Sequence, residues 1–348
     1  MDNNSKSARI LVDAGIANPA RVVKKIRDTI ELLQLDLTGL SVLTEAASGP
    51  FVVTPIIAAL AGAREVIAIA GDSRYATVDE VVRQTRALES LFGIEGQAEI
   101  HTSRDSELFT RPDIVTNLGF VRPLDRNVIS RMRVGAVISL MCESWEFREG
   151  DLDFDACRSH GIAVYGTNED FPGLDVFSYS GWVAIQLLLE AQVEVHKSKI
   201  AVIGSDKFAG VIARLLARAG VDVHAHTQLD PRVVHDADAI LVADYSRLDP
   251  IVGADGDMTA ADVASLNPTV TVVLFAGLID LAGLQNAGIT VYPGHKLSAR
   301  RMERTLAALG PRPVIELHAA GLKVGHMAVS QLTSSSTEPF AHLPQKLT

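Results

Sequence analysis

The turn at residues 204–210, which reads GSDKFAG, carries residue types that could hold a phosphate group. The apolar segment KIAVI precedes it and the amphipathic segment VIARLLARAG follows it, so the turn joins a predicted strand to a predicted helix. Backbone amides at a helix N-terminus bind anions, and glycines let a pyrophosphate approach the chain. The spacing is that of the dinucleotide-binding pattern G-x-G-x-x-G/A, except that Asp206 stands where the second glycine belongs.

Asp206 leaves two interpretations open. Its carboxylate could cap the helix that begins near Lys207 and accept amides that would otherwise hold a phosphate. Alternatively, the carboxylate turns away and the loop amides still cradle a pyrophosphate. Thr227 is a second departure, because dinucleotide-binding proteins place an acidic residue there for the ribose hydroxyls. The predicted contacts of a dinucleotide cofactor, NAD or NADP, are Gly204, Ser205, Asp206, Phe208, Ala209, Thr227, Asp244, Tyr245 and Ala276.

A second group of residues with possible chemistry lies in the segment MCESWEF. Glu143 stands two positions before Trp145, and a carboxyl group beside an aromatic side chain can have a raised pKa that suits proton transfer. We therefore predict that Glu143 is a catalytic acid or base. The neighbouring Cys142 is interpreted as a small buried apolar residue rather than as a nucleophile.

Polar residues that could hold an anion follow several strand-like segments in the first half of the chain. In NLGFVRPLD, Asn117 and Arg122 suit a carboxylate or phosphate, with a surface ion pair as the alternative. In SGPFVV, amides near Pro50 could bind an anion at a helix start, whereas Thr77 and Glu80 predict a structural capping box. The predicted contacts of a small anionic substrate are Glu45, Ser48, Gly49, Arg74, Tyr75, Asn117, Arg122 and Asn168.

The elements that must position these residues follow from the hydrophobic pattern. Apolar strand-like segments alternate with helical ones from residue 41 onward, which is typical of parallel sheets covered on both faces. The segment DVFSYSGWVAIQLLLEAQ suits a buried helix between two such series. Ligands bind beyond the carboxyl ends of parallel strands. We therefore predict an α/β fold of two Rossmann-like domains with parallel sheets and an inter-domain cleft.

The same pattern predicts where the domains begin and end. The C-terminal segment is rich in Ser, Thr and Pro, a composition typical of disorder. The predicted parts are a flavodoxin-like substrate domain with an N-terminal helix (1–174), a crossover helix (175–195), a Rossmann dinucleotide-binding-like domain (196–297), a C-terminal helix that returns to the first domain (298–330) and a disordered tail (331–348).

The overall composition narrows the class of partner. The formal net charge of −10 argues against nucleic acid and against an anionic membrane surface, because both are held mostly by Lys and Arg. The chain has 2 cysteines and begins without the pattern of a signal peptide, so we expect a cytoplasmic protein. The spacing of His318 and His326 fits no compact metal site, and we predict no metal.

The segment GAVISLMCESWEFREGDLDFDACRSHGIAVYGT resembles a strand–helix–strand unit of the D-isomer-specific 2-hydroxyacid dehydrogenases, which have the formate/glycerate dehydrogenase type of fold. The region from about residue 40 to 325 is similar in layout. Thr77 and Asp79 also resemble a Thr-x-Asp pattern of the S-adenosylhomocysteine hydrolases. The resemblance implies a nicotinamide cofactor, a homodimer and a catalytic histidine, which VYPGHK matches with His295 after one extra glycine.

Two functions remain as hypotheses. The first is an NAD(P)-dependent oxidoreductase that acts on a small oxo, hydroxy or amino acid, with His295 as the acid or base. The second is a protein that keeps the fold without the dinucleotide, either a cofactor-free enzyme or a non-catalytic ligand-binding subunit. Fold analogy favours the first, and it is the function that we predict. Asp206, Thr227 and the sequence Phe275-Ala276-Gly277, which stands where the dehydrogenases carry an arginine, favour the second.

Overall fold

The computed structural model describes residues 3–148, 150–331 and 339–348. The helices are α1 (Asn3–Asp13), α2 (Pro19–Leu32), α3 (Val53–Leu60), α4 (Val78–Phe92), α5 (Arg126–Ile129), α6 (Phe154–His160), α7 (Tyr179–Glu190), α8 (Lys207–Arg218), α9 (Pro231–Asp236), α10 (Ala260–Leu266), α11 (Leu281–Asn286) and α12 (Pro311–Val329). The strands are β1 (Ser41–Glu45), β2 (Glu65–Ile69), β3 (Ala98–His101), β4 (Ile114–Thr116), β5 (Val137–Ser139), β6 (Ala163–Thr167), β7 (Lys199–Ile203), β8 (Asp222–His226), β9 (Ala239–Ala243), β10 (Thr271–Ala276), β11 (Thr290–Tyr292) and β12 (Pro344–Lys346). None of the helices in these ranges is long and apolar enough to span a membrane.

The chain divides into two compact units. Unit 1 comprises Met1–Val176 and Gly310–Thr348, and unit 2 comprises Phe177–Leu309. Each unit contains a sheet of mainly parallel strands, with helices in the connections between them. The predicted α/β class with two Rossmann-like domains is therefore confirmed.

The strand order in the two units differs from the expected assignment. In unit 1 the parallel strands lie in the order β3-β2-β1-β4-β5-β6, the doubly wound order of dinucleotide-binding folds. In unit 2 the order is β8-β7-β9-β10-β11, which is the flavodoxin-like order. We expected the flavodoxin-like sheet in the first part of the chain. The difference arises because β3 pairs outside β2, and hydrophobic alternation does not reveal on which side a new strand is added.

The central strands of both sheets are buried along their whole length. All five residues of β1, Ser41–Glu45, are buried, and all five of β9, Ala239–Ala243, are buried as well. Such continuous burial requires helices on both faces of the sheet. By contrast, β8 lies at the edge of its sheet and reads DVHAH, and none of its residues is fully buried.

Helix α12 packs closely on the sheet of unit 1. A Cβ atom at Gly321 would lie 2.1 Å from the Met141 sulfur, and one at Gly325 would lie 2.6 Å from Ile114 Cγ2. The two glycines thus let the helix backbone approach the strands. We expected one helix over 298–330, but residues 306–309 form only a short 3-10 turn and α12 begins at Pro311. Proline suits this first helical position because its missing N–H would be unpaired there.

Part of the predicted disordered tail is ordered. Strand β12 pairs antiparallel with β6, so that Pro344 lies opposite Thr167 and Lys346 opposite Tyr165. The backbone of this segment finds its partners at the open edge of the sheet, and its composition gave no sign of this. Residues 332–338, the middle of the predicted tail, lie outside the described residues.

A buried histidine joins α12 to α3. His318 is 3% exposed, and its Nδ1 lies 2.6 Å from Thr54 Oγ1. Burial lowers the pKa of His318 from 6.5 to about 3. The unfolded chain therefore binds a proton at this residue below pH 6.5, whereas the folded chain stays neutral there until about pH 3.

We predict that His318 makes the protein lose stability as the pH falls below about 6.5. The free energy of unfolding should fall by about 1.4 kcal/mol per pH unit from this residue alone, because only the unfolded state takes up the proton. Urea unfolding of the wild type and of His318→Gln between pH 7 and pH 4 checks this. The free energy of unfolding should depend less steeply on pH in the variant, by about 1.4 kcal/mol per pH unit. Equal slopes for the two proteins would contradict the lowered pKa of His318.

Candidate functional site

The turn between β7 and α8 is held by the carboxylate of Asp206. Its Oδ1 accepts the Phe208 N–H at 2.9 Å, so Asp206 caps the helix. Its Oδ2 accepts the N–H groups of Tyr245 at 2.6 Å and Ser246 at 2.9 Å, which follow β9. One side chain thus caps α8 and joins the loops that follow two neighbouring strands.

Asp244 makes the reciprocal connection. It is fully buried, and its Oδ2 accepts both the N–H and the hydroxyl of Ser205 at 2.8 Å. Its Oδ1 accepts the N–H of Arg247 at 3.1 Å. The Arg247 guanidinium in turn pairs with Asp257 at 2.8 Å. The two loops therefore exchange hydrogen bonds in both directions through Asp206 and Asp244.

This network changes the electrostatics of the turn. Burial raises the pKa of Asp206, and the nearby charge of Asp244 acts in the same direction. The N–H groups of Ser246, Phe208 and Tyr245 oppose this effect because they stabilise the charged carboxylate. The turn is therefore already occupied by a carboxyl group that belongs to the chain itself.

The fold family implies a dinucleotide at this position, and the residues present do not fit its pyrophosphate. The amides of Ser205, Phe208, Tyr245 and Ser246 are bound to carboxylates of the chain. A Cβ atom at Gly204 would lie 2.2 Å from the Ala243 carbonyl oxygen, so this glycine lets the turn pack closely against β9. A phosphate would have to displace Asp206 to reach the helix N-terminus.

Of the remaining residues predicted to contact the cofactor, most are packed inside unit 2, and Thr227 lacks the carboxylate that would bind the ribose hydroxyls. Ala209 is buried in α8 and Ala276 is buried at the end of β10, where its carbonyl accepts the Asp244 N–H at 3.1 Å. Thr227 is exposed after the edge strand β8. The Phe208 ring packs 4.7 Å from the Phe177 ring, in a cluster that also contains Tyr245 and Phe275. These aromatic rings pack at the first turn of α8.

The predicted catalytic histidine has a carboxylate partner. His295 Nε2 lies 3.1 Å from Glu303 Oε2, and the side chains are 61% and 11% exposed. The Glu303 N–H donates to the Phe275 carbonyl at 2.8 Å, which fixes this residue at the end of β10. A histidine oriented by a carboxylate can transfer a proton. Sequence reasoning missed Glu303, because only the fold brings it to His295.

Glu45 and Asn117 lie at the carboxyl ends of β1 and β4 in unit 1. Glu45 is 6% exposed, and its Oε2 accepts the Phe120 N–H at 3.1 Å. Burial raises the pKa of Glu45, whereas this N–H and the charge of Arg122 lower it. Asn117 Oδ1 accepts the Met141 N–H at 2.7 Å. Strands β1 and β4 are neighbours on opposite sides of the point where the winding of the sheet reverses, the usual place for a ligand.

The predicted catalytic residue Glu143 is buried, and its carboxylate is hydrogen-bonded within unit 1. It is 3% exposed, its Oε2 accepts the Trp145 indole N–H at 2.6 Å, and its Oε1 accepts the Glu169 N–H at 3.3 Å. Both carboxylate oxygens thus hold loops that follow β5 and β6. Burial raises the pKa of the neighbouring Cys142 thiol well above its ordinary value, which agrees with its interpretation as an apolar residue.

Two predicted substrate contacts are bound to other parts of unit 1. The Gly49 N–H donates to Gln84 Oε1 at 2.8 Å, so this amide is already paired. Asn168 Nδ2 donates to the His342 carbonyl at 3.0 Å and holds the C-terminal segment. Ser48 precedes the 3-10 helix and makes no capping hydrogen bond. These side chains and amides stabilise the loops of unit 1.

The remaining candidates lie in two surface loops. Arg74 donates to the Tyr75 hydroxyl and lies over its ring at 4.7 Å, and Tyr75 is 74% exposed. Arg122 is partly buried and forms an ion pair with Asp151. The predicted capping box is present, because Thr77 and Glu80 bond reciprocally at the start of α4. Within the described residues, no group of His, Cys, Asp and Glu could hold a metal ion.

No family model and no curated protein sequence matches this chain. Among solved structures, a dipicolinate synthase subunit from Bacillus halodurans aligns with a TM-score of 0.53 and 11% identity over 84% of this chain and 99% of that one. The pyruvate reductase of Chlamydomonas reinhardtii aligns with a TM-score of 0.49 and 13% identity over 77% and 97%. The NAD-complexed D-isomer-specific 2-hydroxyacid dehydrogenase from Lactobacillus delbrueckii ssp. bulgaricus gives 0.46 and 11% over 88% and 100%.

At these identities the alignments concern the fold alone. The solved structures that align include members of the family that the sequence resembles. The predicted architecture is confirmed at the level of the fold, because this chain shares the fold of the dipicolinate synthase subunit.

Proposed function

We propose that this protein keeps an oxidoreductase fold but works without a dinucleotide in unit 2, and that it binds a small anionic molecule through unit 1. The observation that carries this proposal is the position of the Asp206 carboxylate. It accepts N–H groups from both loops at which a pyrophosphate would be bound. The chain itself therefore provides the negative charge that the helix N-terminus favours.

The energetic cost of admitting a pyrophosphate supports this interpretation. Asp206 would lose three hydrogen bonds from backbone N–H groups, each worth about 1 kcal/mol or more for a charged acceptor. If Asp206 stayed in place, it would face another anion across a partly buried site, where like charges repel strongly. Either outcome weakens the binding of a dinucleotide relative to a chain with glycine at this position.

The polar groups of unit 1 support a ligand there. Glu45, Asn117 and Arg122 come from the loops and strand ends around the reversal of the winding. Carboxyl, amide and guanidinium groups that are buried or partly buried can orient a small polar molecule, because each has directional donors or acceptors. The proposed molecule is anionic, since Arg122 is the cation of this group. The homodimer and the cytoplasmic location implied by resemblance and composition remain predictions.

A second candidate function is favoured by His295 and Glu303. In that case the protein would be an NAD(P)-dependent oxidoreductase acting on a small oxo, hydroxy or amino acid. His295 would exchange a proton with the substrate oxygen, and Glu303 would orient the imidazole and stabilise its charged form. The two candidates differ in whether unit 2 binds the dinucleotide.

We predict that the wild-type protein binds NAD and NADP more weakly than about 1 mM, and that Asp206→Gly binds at least about tenfold more tightly. The variant frees the amides of Phe208, Tyr245 and Ser246 and removes a negative charge. Asp230→Gly is the matched control, because Asp230 also caps a helix in unit 2. Calorimetric titration measures the affinities, and thermal unfolding verifies that the variants are folded.

Equal, micromolar binding by wild type and Asp206→Gly would contradict the proposal and favour the second candidate. In that case Asp206 would not obstruct the cofactor. Absence of binding to all three proteins would leave the dinucleotide-free function standing and would show that the loss of the site extends beyond Asp206.

The closed turn also predicts different outcomes at two nearby glycines. Gly204→Ala should destabilise the protein by about 3 kcal/mol, because its Cβ would lie 2.2 Å from the Ala243 carbonyl oxygen. Gly210→Ala should stabilise it by about 0.5–1 kcal/mol, because alanine favours the helix and the nearest atom is the flexible end of Arg214 at 3.4 Å. Urea unfolding measures the free energy of unfolding of both variants. Similar values for the two would contradict the close packing of Gly204 against β9.

A further inference from the structure

Three arginines surround the loop that follows β4. Arg104 donates from Nε to the Val121 carbonyl at 2.8 Å and also donates to the Pro123 carbonyl, so it stiffens this loop. Arg122 forms an ion pair with Asp151. Arg148 Nε lies 3.4 Å from the same Asp151 oxygen, Oδ2. Two guanidinium groups thus share one carboxylate, in a chain whose formal net charge is −10.

Two N–H donors of this cluster are buried without a partner. Among the described residues, neither Arg122 Nε nor Arg148 Nη1 has a hydrogen-bond partner, although both atoms are buried. A buried donor on a charged group that lacks an acceptor costs more free energy than the hydrogen bond itself contributes. Native structures therefore rarely leave such donors unpaired, and two in one cluster indicate an acceptor that lies outside the described residues.

The two guanidinium groups are close together, because Arg122 Nη1 and Arg148 Nε both pair with Asp151 Oδ2. Asp151 offsets part of their positive charge. The cluster also lies beside the predicted ligand site, since the charge of Arg122 acts on Glu45 at the end of β1 and on Cys142 after β5. An anion bound here would be an acceptor for both guanidinium groups.

We propose that Arg122 and Arg148 form an anchor for the carboxylate or phosphate group of the small molecule bound by unit 1. This inference rests on the proposed function in placing the ligand in unit 1. An oxyanion of either type can accept one N–H from each guanidinium, and arginine is suited to such planar recognition. Asp151 holds the two guanidinium groups in position, so the anchor exists before the ligand binds.

The test is calorimetric titration of the full chain with inorganic phosphate and, separately, with malonate, at a constant ionic strength set with chloride. The wild type should bind one of the two anions with low-millimolar affinity or better. Arg148→Gln should weaken that binding by about 10- to 100-fold, because it removes a charged donor. Arg148→Lys keeps the positive charge but loses the planar guanidinium group. Its affinity for the anion should therefore lie between those of the wild type and Arg148→Gln. The anion that binds more tightly identifies the class of ligand.

The control is Arg126→Gln, since Arg126 is 60% exposed and pairs with Asp153 in the same region. Its affinity for the anion should equal that of the wild type. Thermal unfolding without anion must show that each variant is folded. Loss of binding in both glutamine variants alike would assign the effect to general surface charge and overturn the proposal.

Absence of binding of either anion to the wild type would also overturn it, and water would then be the partner of the two donors. The dinucleotide titration with Asp206→Gly is independent of these results. The anion titration can therefore contradict the arginine anchor while the dinucleotide titration still supports a unit 2 without the cofactor. The opposite pair of results would be distinguished in the same way.

Discussion

The binding of backbone amides by Asp206 is the interaction on which the arrangement of unit 2 depends. A helix N-terminus presents N–H groups without partners inside the helix, and these groups must be paired when they are buried. Here one carboxylate pairs with the first turn of α8 and with the loop after β9, while Asp244 binds the turn before α8. The turn is therefore complete without a ligand, and its surroundings are packed around it.

An aromatic cluster packs beside the turn that Asp206 holds. Phe177, Phe208, Tyr245 and Phe275 bring their rings together, and Lys207 Nζ lies 4.0 Å from the centre of the Phe177 ring. Aromatic rings and a cation beside a ring face are stable arrangements in a dry environment. The aromatic packing and the hydrogen bonds of Asp206 and Asp244 thus stabilise the same turn.

Local features of this fold could be read from the sequence, and features that depend on distant pairing could not. The cap at Asp206 and the capping box of Thr77 and Glu80 involve residues at most three positions apart. The second oxygen of Asp206 binds residues about 40 positions away, and no local pattern reveals them. The same holds for Glu303 beside His295, for Arg148 beside Arg122, and for the side of β2 on which β3 pairs.

The antiparallel strand β12 has a consequence for the solution behaviour of unit 1. An edge strand offers a row of unpaired N–H and C=O groups, which other chains can use to extend the sheet. Strand β12 occupies the edge beside β6, from Tyr165 to Thr167, and runs opposite to the six parallel strands. Strand β12 is now the edge strand itself, and its three residues include Pro344 and Lys346, which disfavour further pairing because proline donates no N–H and lysine carries a charge.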